Sequence, residues 1–205
     1  VVTTPAPFSG VTICQIVQLM AQSPYAQKPM SELYRVAAIR AAYLDRAAWL
    51  QDPVSGDVPE ETLLRQEHLT VLRDHAIAMA EGSKAVIEFS EGEEGHHTTS
   101  YVVADTLGNV VSVTTTLNRY FGSGEFVPSL GVFLNDEMHD FNSGPGINQV
   151  VSGARPASGM SPTVVLSGEQ PVMALGTPGG ATIPAQIASV LNAVYLDGLT
   201  LEEAV

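Results

Sequence analysis

The spacing of apolar positions changes its period once along this chain. Up to about residue 82 apolar residues recur at helical intervals, and beyond Thr98 they alternate. Residues 1–10 read as an irregular, proline-containing entry ending in Ser9-Gly10, and residues 11–22 as a buried helix. After a loop from Ser23 to Pro29, Ser31 offers an N-cap for a helix reaching about Gln51. Leu33, Val36, Ala37, Leu44, Ala47 and Ala48 would share its apolar face. A turn cluster from Asp52 to Asp57 follows, then a helix from Pro59 to near Gly82. Gly82 to His97 reads as a linker. Strands are predicted at 98–105, 109–118, 131–135, 163–167 and 171–176, with Gly168-Glu169-Gln170 joining the last two as a hairpin. A helix from near Gly180 to before Gly198, and another from Leu199, complete the chain. Helices, then strands, then helices predict an α+β fold. The expectation is one structural domain with two regions, a mainly helical one at 1–97 and a strand-containing one at 98–205.

The first predicted hairpin allows a register argument. Asp105-Thr106-Leu107-Gly108-Asn109 fits a three-residue loop, a type I turn closed by a left-handed residue that Gly108 supplies. Pairing Asp105 with Asn109 puts Ser100 opposite Thr114 and Thr98 opposite Thr116. Thr98, Thr114, Thr116 and Asn118 then lie on one polar face, while Val111, Val113, Thr115 and Leu117 point toward a core. A two-residue loop would slip the register by one and separate Thr98 from Thr116.

Composition narrows the classes. A chain of 205 residues, 45% hydrophobic and 15% charged, is globular and long enough for a sizeable core. Its net charge of −13, with Lys28 and Lys84 as its only lysines, argues against nucleic-acid binding and against attraction to anionic membranes. No apolar run approaches the ~20 residues of a membrane span. Cys14 excludes an internal disulfide and sits in an apolar run as a small hydrophobe. His96-His97 is too short a cluster to hold a metal, and His68 and His75 lack a carboxylate or thiol at ligand spacing, so neither metal nor cofactor is expected. The chain opens Val1-Val2, which reads as part of a longer polypeptide.

Candidate chemistry gathers at Thr98. An acidic, glycine-rich stretch, Glu91 to His97, leads into Thr98-Thr99-Ser100-Tyr101. Cleavage between His97 and Thr98 would expose an N-terminal threonine, whose Oγ and freed α-amine place a nucleophile and a base in one residue. Threonine's strand propensity alone also accounts for such a composition. Gly179-Gly180 follow a strand and open a helix, where free backbone N–H groups face developing negative charge, or where a tight turn simply needs glycine.

Five motifs in order resemble the γ-glutamyltranspeptidases, a family of N-terminal-nucleophile hydrolases. They are Thr98-Thr99-Ser100-Tyr101, Thr114-Thr115-Thr116-Leu117-Asn118, Leu134 to Phe141, Arg155 to Thr163, and Gly176-Thr177-Pro178-Gly179-Gly180. Upstream, Ala41 to Arg46 and Leu50 to Pro53 resemble the end of the family's large subunit. The resemblance implies an αββα sandwich, self-cleavage between His97 and Thr98, and transfer of a γ-glutamyl group from a small-molecule donor such as glutathione to Thr98, then to water or an amine. By resemblance Thr116 orients the nucleophile and Gly179 and Gly180 form the oxyanion hole. Glu137, Asp140 and Asn118 match positions that bind the substrate's α-ammonium, and Ser158 matches a serine that contacts its α-carboxylate. Relatives are often secreted or periplasmic.

This sequence departs from the family in three ways. Gly159 stands where a second serine is usual, leaving only a backbone donor toward the α-carboxylate. The segment from Phe141 to Ala157 is short, implying an open site. The arginine that clamps the carboxylate lies early in the large subunit, outside this sequence, and neither Arg119 nor Arg155 matches it. Alternatives therefore stay open: an acylase for glutaryl-type amides, a depolymerase of poly-γ-glutamate, or an inactive, unprocessed fragment or homologue.

Overall fold

The computed structural model describes residues 1–82 and 97–205. The linker expected at 82–97 lies, apart from its two ends, outside the described residues. Two compact units are present, and each draws on both sides of residue 97. One gathers the described residues of Val1–Gly10, Leu50–Val58 and Glu91–Pro184; the other those of Val11–Trp49, Pro59–Ser90 and Ala185–Val205. Helices and small antiparallel sheets together make the expected α+β class.

The second unit is helical. It contains α1 (Gly10–Ala21) but for its first residue, α2 (Met30–Trp49), α3 (Glu60–Leu63), α4 (Gln66–Glu81), most of α5 (Ile183–Tyr195) and α6 (Leu201–Ala204). Helix α2 starts before Ser31, whose N–H already bonds the Gln27 carbonyl at 3.1 Å, so Ser31 is inside the first turn rather than its cap. The predicted apolar face of α2 is also rotated. Tyr34, Ala37, Ala38, Ala41, Ala42 and Asp45 are buried, while Leu44, Ala47 and Ala48 are exposed. Helix α2 packs on α4, and Asp45 on its buried face meets His68 of α4. Two polar residues belong to the same face because each finds partners. Tyr34 donates to the Leu19 carbonyl at 2.9 Å. The Asp45 carboxylate accepts from Gln15 Nε2 at 2.6 Å and lies 2.6 Å from His68 Nε2. The single helix expected after Pro59 is broken between α3 and α4 by the extended backbone of Arg65. Cys14 is half-buried, and burial pushes its thiol above the ordinary thiol range. Among the described residues no helix is long and apolar enough to cross a membrane.

The first unit carries the strands: β1 (Thr99–Ala104), β2 (Val110–Thr115), β3 (Phe126–Val127), β4 (Val132–Phe133), β5 (Thr163–Ser167) and β6 (Gln170–Leu175). They pair as three antiparallel hairpins, β1–β2, β3–β4 and β5–β6. The β1–β2 loop has the expected form. Asp105 N–H bonds the Asn109 carbonyl at 3.0 Å, and Gly108 has φ +86°. Ser100 faces Thr114 and Thr99 faces Thr115, the register predicted from the loop length.

The covering of that hairpin departs in part from the expectation: Val113 and Leu117 are half-buried, but the rest of their face is open and hydroxyls of the polar face are covered as well. Val111 is 56% exposed and Val103 55% exposed, whereas Ser100, Ser112 and Thr114 are half-buried. The polar face turns toward β6: Ser112 donates to the Leu175 carbonyl at 3.0 Å. Hydroxyls can bond a neighbouring backbone, so burial here follows hydrogen bonding rather than apolarity. Strand β2 also stops short of the predicted residue 118. Asn118 N–H turns back to Thr116 Oγ1 at 2.9 Å, and its φ of +71° is one that asparagine tolerates. Strand β3, a two-residue piece before Pro128, escaped the pattern analysis altogether.

The proline-containing entry pins the loop beyond residue 155. Val2 and Val164 exchange both backbone hydrogen bonds, at 2.8 and 2.9 Å. Ser158 N–H bonds the Pro7 carbonyl at 3.0 Å, and Ser9 Oγ donates to the Ser158 carbonyl at 2.7 Å.

Candidate active site

Every described site residue proposed from the sequence belongs to the first unit. The β1–β2 ladder ends with Thr99 opposite Thr115, so Thr98 and Thr116 are the residues next to it on either strand. Within the ladder, Ser100 and Thr114 are the hydroxyl pair nearest to them on the same face. This pair is hydrogen-bonded, Oγ to Oγ1, at 2.8 Å. His97, on the other side of the proposed scissile bond, lies against Tyr120, with ring centroids 3.5 Å apart. Sequence reasoning had no signal for that contact.

The glycine loop arises from the same face. A Cβ on Gly176 would come within 3.0 Å of Ser100 Oγ and 3.1 Å of Thr114 Oγ1. The segment Gly176 to Gly180 thus leaves β6 beside the Ser100–Thr114 pair, two residues along each strand from Thr98 and Thr116. Gly179 and Gly180 have φ of +136° and +54°, and Gly180 opens a 3₁₀ turn (Gly180–Thr182) leading into α5. Both conformations favour glycine. Thr182 Oγ1 donates to the Gly179 carbonyl at 2.7 Å, closing the turn.

Glu137, Asp140 and Asn118 are brought together. A 3₁₀ turn, Glu137–Asp140, carries both acids. Asn118 Nδ2 donates to Asp140 Oδ1 at 2.9 Å. With the Asn118 N–H on Thr116 Oγ1, this connects the threonine row to the acidic turn. Asp136 accepts from Arg119 N–H at 3.1 Å and closes the 117–136 loop through its own N–H on the Leu117 carbonyl at 3.2 Å. The Glu137 carboxyl is pushed up to about 7, chiefly by burial and then by the neighbouring Asp140 and Asp136 charges. Among the described residues, one of its oxygens, Oε1, is buried without a hydrogen-bond partner. A cation placed there would relieve both the repulsion and the missing bond.

Ser158 is buried, and its Oγ accepts from Met160 N–H at 3.2 Å. Next to it, a Cβ on Gly159 would stand 2.2 Å from the Gly180 carbonyl oxygen. The absent side chain therefore lets the Ser158 loop close directly on the paired-glycine turn. Arg155 ties this loop to the Asp52 turn. Its Nε and N–H bond Asp52 Oδ2 at 2.7 and 3.1 Å, and Val54 N–H bonds Oδ1 at 2.9 Å. Burial acts to raise the Asp52 carboxyl, but the bonds from Val54 and Arg155 outweigh it and hold it below the usual carboxylate range.

The Ser100–Thr114 hydroxyl pair, the glycine segment beside it and the acids linked through Asn118 all lie in the first unit. Comparison with known proteins gives the family. The gamma-glutamyltranspeptidase family profile matches residues 1–205. A glutathione hydrolase proenzyme from Pseudomonas sp. (strain A14) is 37% identical over all of this chain and 39% of its own length. An acylase ACY 1 proenzyme from Pseudomonas sp. (strain SE83) is 30% identical over 98% of this chain and 37% of its own. Among solved structures, a cephalosporin acylase from Bacillus halodurans shares the fold, with a TM-score of 0.76 at 22% identity over 96% of this chain and 36% of that one. The chain belongs to the γ-glutamyltranspeptidase family, and it spans about 39% of the length of the glutathione hydrolase relatives it matches.

Proposed function

We propose that this chain carries the nucleophile-bearing part of a γ-glutamyl transferase or hydrolase that cuts itself between His97 and Thr98. Residues 1–97 would then end the large subunit and residues 98–205 form most of the small one. What supports the reading is the observed register, Thr99 opposite Thr115 and Ser100 opposite Thr114, whose extension by one residue would bring Thr98 to Thr116 near the start of the Gly176–Gly180 loop. The relatives' description as proenzymes accords with processing.

The chemistry follows from these positions. In the uncut chain Thr98 Oγ attacks the His97 carbonyl, the peptide C–N bond breaks, and the acyl group passes to oxygen as an ester. Water opens the ester, leaving a carboxyl on His97 and a free α-amine on Thr98. An α-amine near pKa ~7.7–8.0 takes the Oγ proton at neutral pH as Oγ attacks the γ-carbonyl of a donor such as glutathione. The Gly179 and Gly180 region offers backbone N–H groups to the oxyanion; loss of one such donor typically removes about 2.7–4 kcal/mol of transition-state stabilisation. The proton passes to the departing amine, and the γ-glutamyl ester on Thr98 then goes to water or to an acceptor amine. Thr116 holds the nucleophile by hydrogen bonding. Glu137, Asp140 and Asn118 take the α-ammonium, and Ser158 with the Gly159 N–H takes the α-carboxylate.

The acid cluster favours a γ-glutamyl donor over the acylase alternative. A glutaryl chain has no ammonium to place against the raised Glu137 carboxyl and its unpartnered oxygen. Poly-γ-glutamate exposes such an ammonium only at its free end, which leaves the depolymerase reading within the same site. The decisive experiment is Thr98→Ala in the full-length protein, followed by intact mass. An uncut chain without γ-glutamyl anilide hydrolysis is expected; cleavage at 97/98 in that variant overturns the nucleophile assignment.

A further inference from the structure

Asn148 has no place in the chemistry above, yet its side chain is used at both ends. It is 6% exposed. Its Nδ2 donates to the Asp140 carbonyl at 2.8 Å, and its Oδ1 accepts from Ala157 N–H at 2.8 Å. Its own carbonyl accepts from Asn142 N–H at 2.8 Å. Asp140 is the acid bonded to Asn118, and Ala157 immediately precedes Ser158. One amide group therefore joins the two stretches assigned to opposite ends of the donor's amino-acid head.

The stretch between them, residues 141–157, has no helix or strand. Regular backbone pairing consequently does not fix the distance from the Asp140 turn to the Ser158 loop. A side chain carrying a donor and an acceptor on separate atoms can fix it, and the asparagine amide supplies both. An aspartate would set an oxygen against the Asp140 carbonyl. The backbone φ of +57° is also one that asparagine, but not a branched residue, adopts readily.

We infer that Asn148 is a positioning residue that spaces the ammonium-side acids from the carboxylate-side serine, and so sets selectivity for donors bearing both charges. This rests on the γ-glutamyl reading.

The test compares γ-glutamyl-p-nitroanilide with glutaryl-p-nitroanilide, which differ only in the α-ammonium, on the full-length processed enzyme. Asn148→Gly keeps the backbone accessible and removes both bonds. KM for the γ-glutamyl substrate should rise about tenfold with kcat within about threefold, and the preference for it over the glutaryl substrate should fall about tenfold. Asn148→Asp retains the acceptor for Ala157 N–H but loses the donor to Asp140, and should move the preference in the same direction. It carries the reading if the glycine variant does not accumulate. A lowered Tm with the substrate preference intact, or activity on both substrates reduced alike, overturns the inference and leaves Asn148 purely structural. Wild-type enzyme without any γ-glutamyl preference would instead overturn the functional reading, and this inference with it.

Discussion

Replacing Glu137 by glutamine tests whether the acidic turn reads the donor's ammonium group. The wild-type carboxyl stands at about 7, against an ordinary 4.5, because it is buried beside Asp140 and Asp136. An ammonium ligand prefers the ionised form. Apparent affinity should then scale with the ionised fraction, which for a group at about 7 rises from ~0.1 at pH 6 to ~0.9 at pH 8. The inhibition constant of L-glutamate as a non-reacting competitor should accordingly fall roughly tenfold across that interval in wild type and stay nearly flat in Glu137→Gln. Binding at pH 7 should release about half a proton, measurable by calorimetry in buffers of different ionisation enthalpy. The stability sign is opposite to that of an ordinary ion-paired acid. Because the folded pKa is raised, the folded state holds the extra proton, so stability declines as pH rises from 4.5 to about 7 and the variant loses that slope. A wild-type inhibition constant that is flat from pH 6 to 8, or an identical profile in Glu137→Gln, would refute the argument.

Three further outcomes follow from the geometry. Thr116→Ala should slow turnover by at least about tenfold while shifting Tm little, since the bond its hydroxyl accepts from Asn118 N–H lies in a half-buried turn past the end of β2; wild-type rates would remove it from the site. Asp140→Ala should raise KM for γ-glutamyl donors far more than it lowers kcat, and an unchanged KM would contradict the ammonium role. Asp52→Ala should destabilise by about 2–4 kcal/mol, because the Val54 and Arg155 N–H groups lose a buried acceptor. An unchanged denaturant midpoint would show that other groups satisfy those donors.

The sequence by itself determined the features whose information is local. Loop length and Gly108 gave the β1–β2 register, because a hairpin turn dictates which residues face each other. The β5–β6 hairpin, α1 and the glycine turn before α5 were legible as well, although the β5–β6 loop is Gly168-Glu169 rather than three residues, because Gln170 already pairs with Ser167. Order and spacing of the motifs gave the family. Tertiary structure decided which faces are buried. The hydroxyls of β1–β2 are covered because Ser112 and its neighbours meet β6, a partner remote in sequence. The alanine face of α2 is buried because α4 packs there and Asp45 finds Gln15 and His68. Periodicity weighs only apolarity, and so it misplaces any polar residue whose burial is compensated by hydrogen bonds. Asn148 shows the limit most directly: its type says nothing until Asp140 and Ala157 stand on either side of one amide, an arrangement that exists only once the chain has folded.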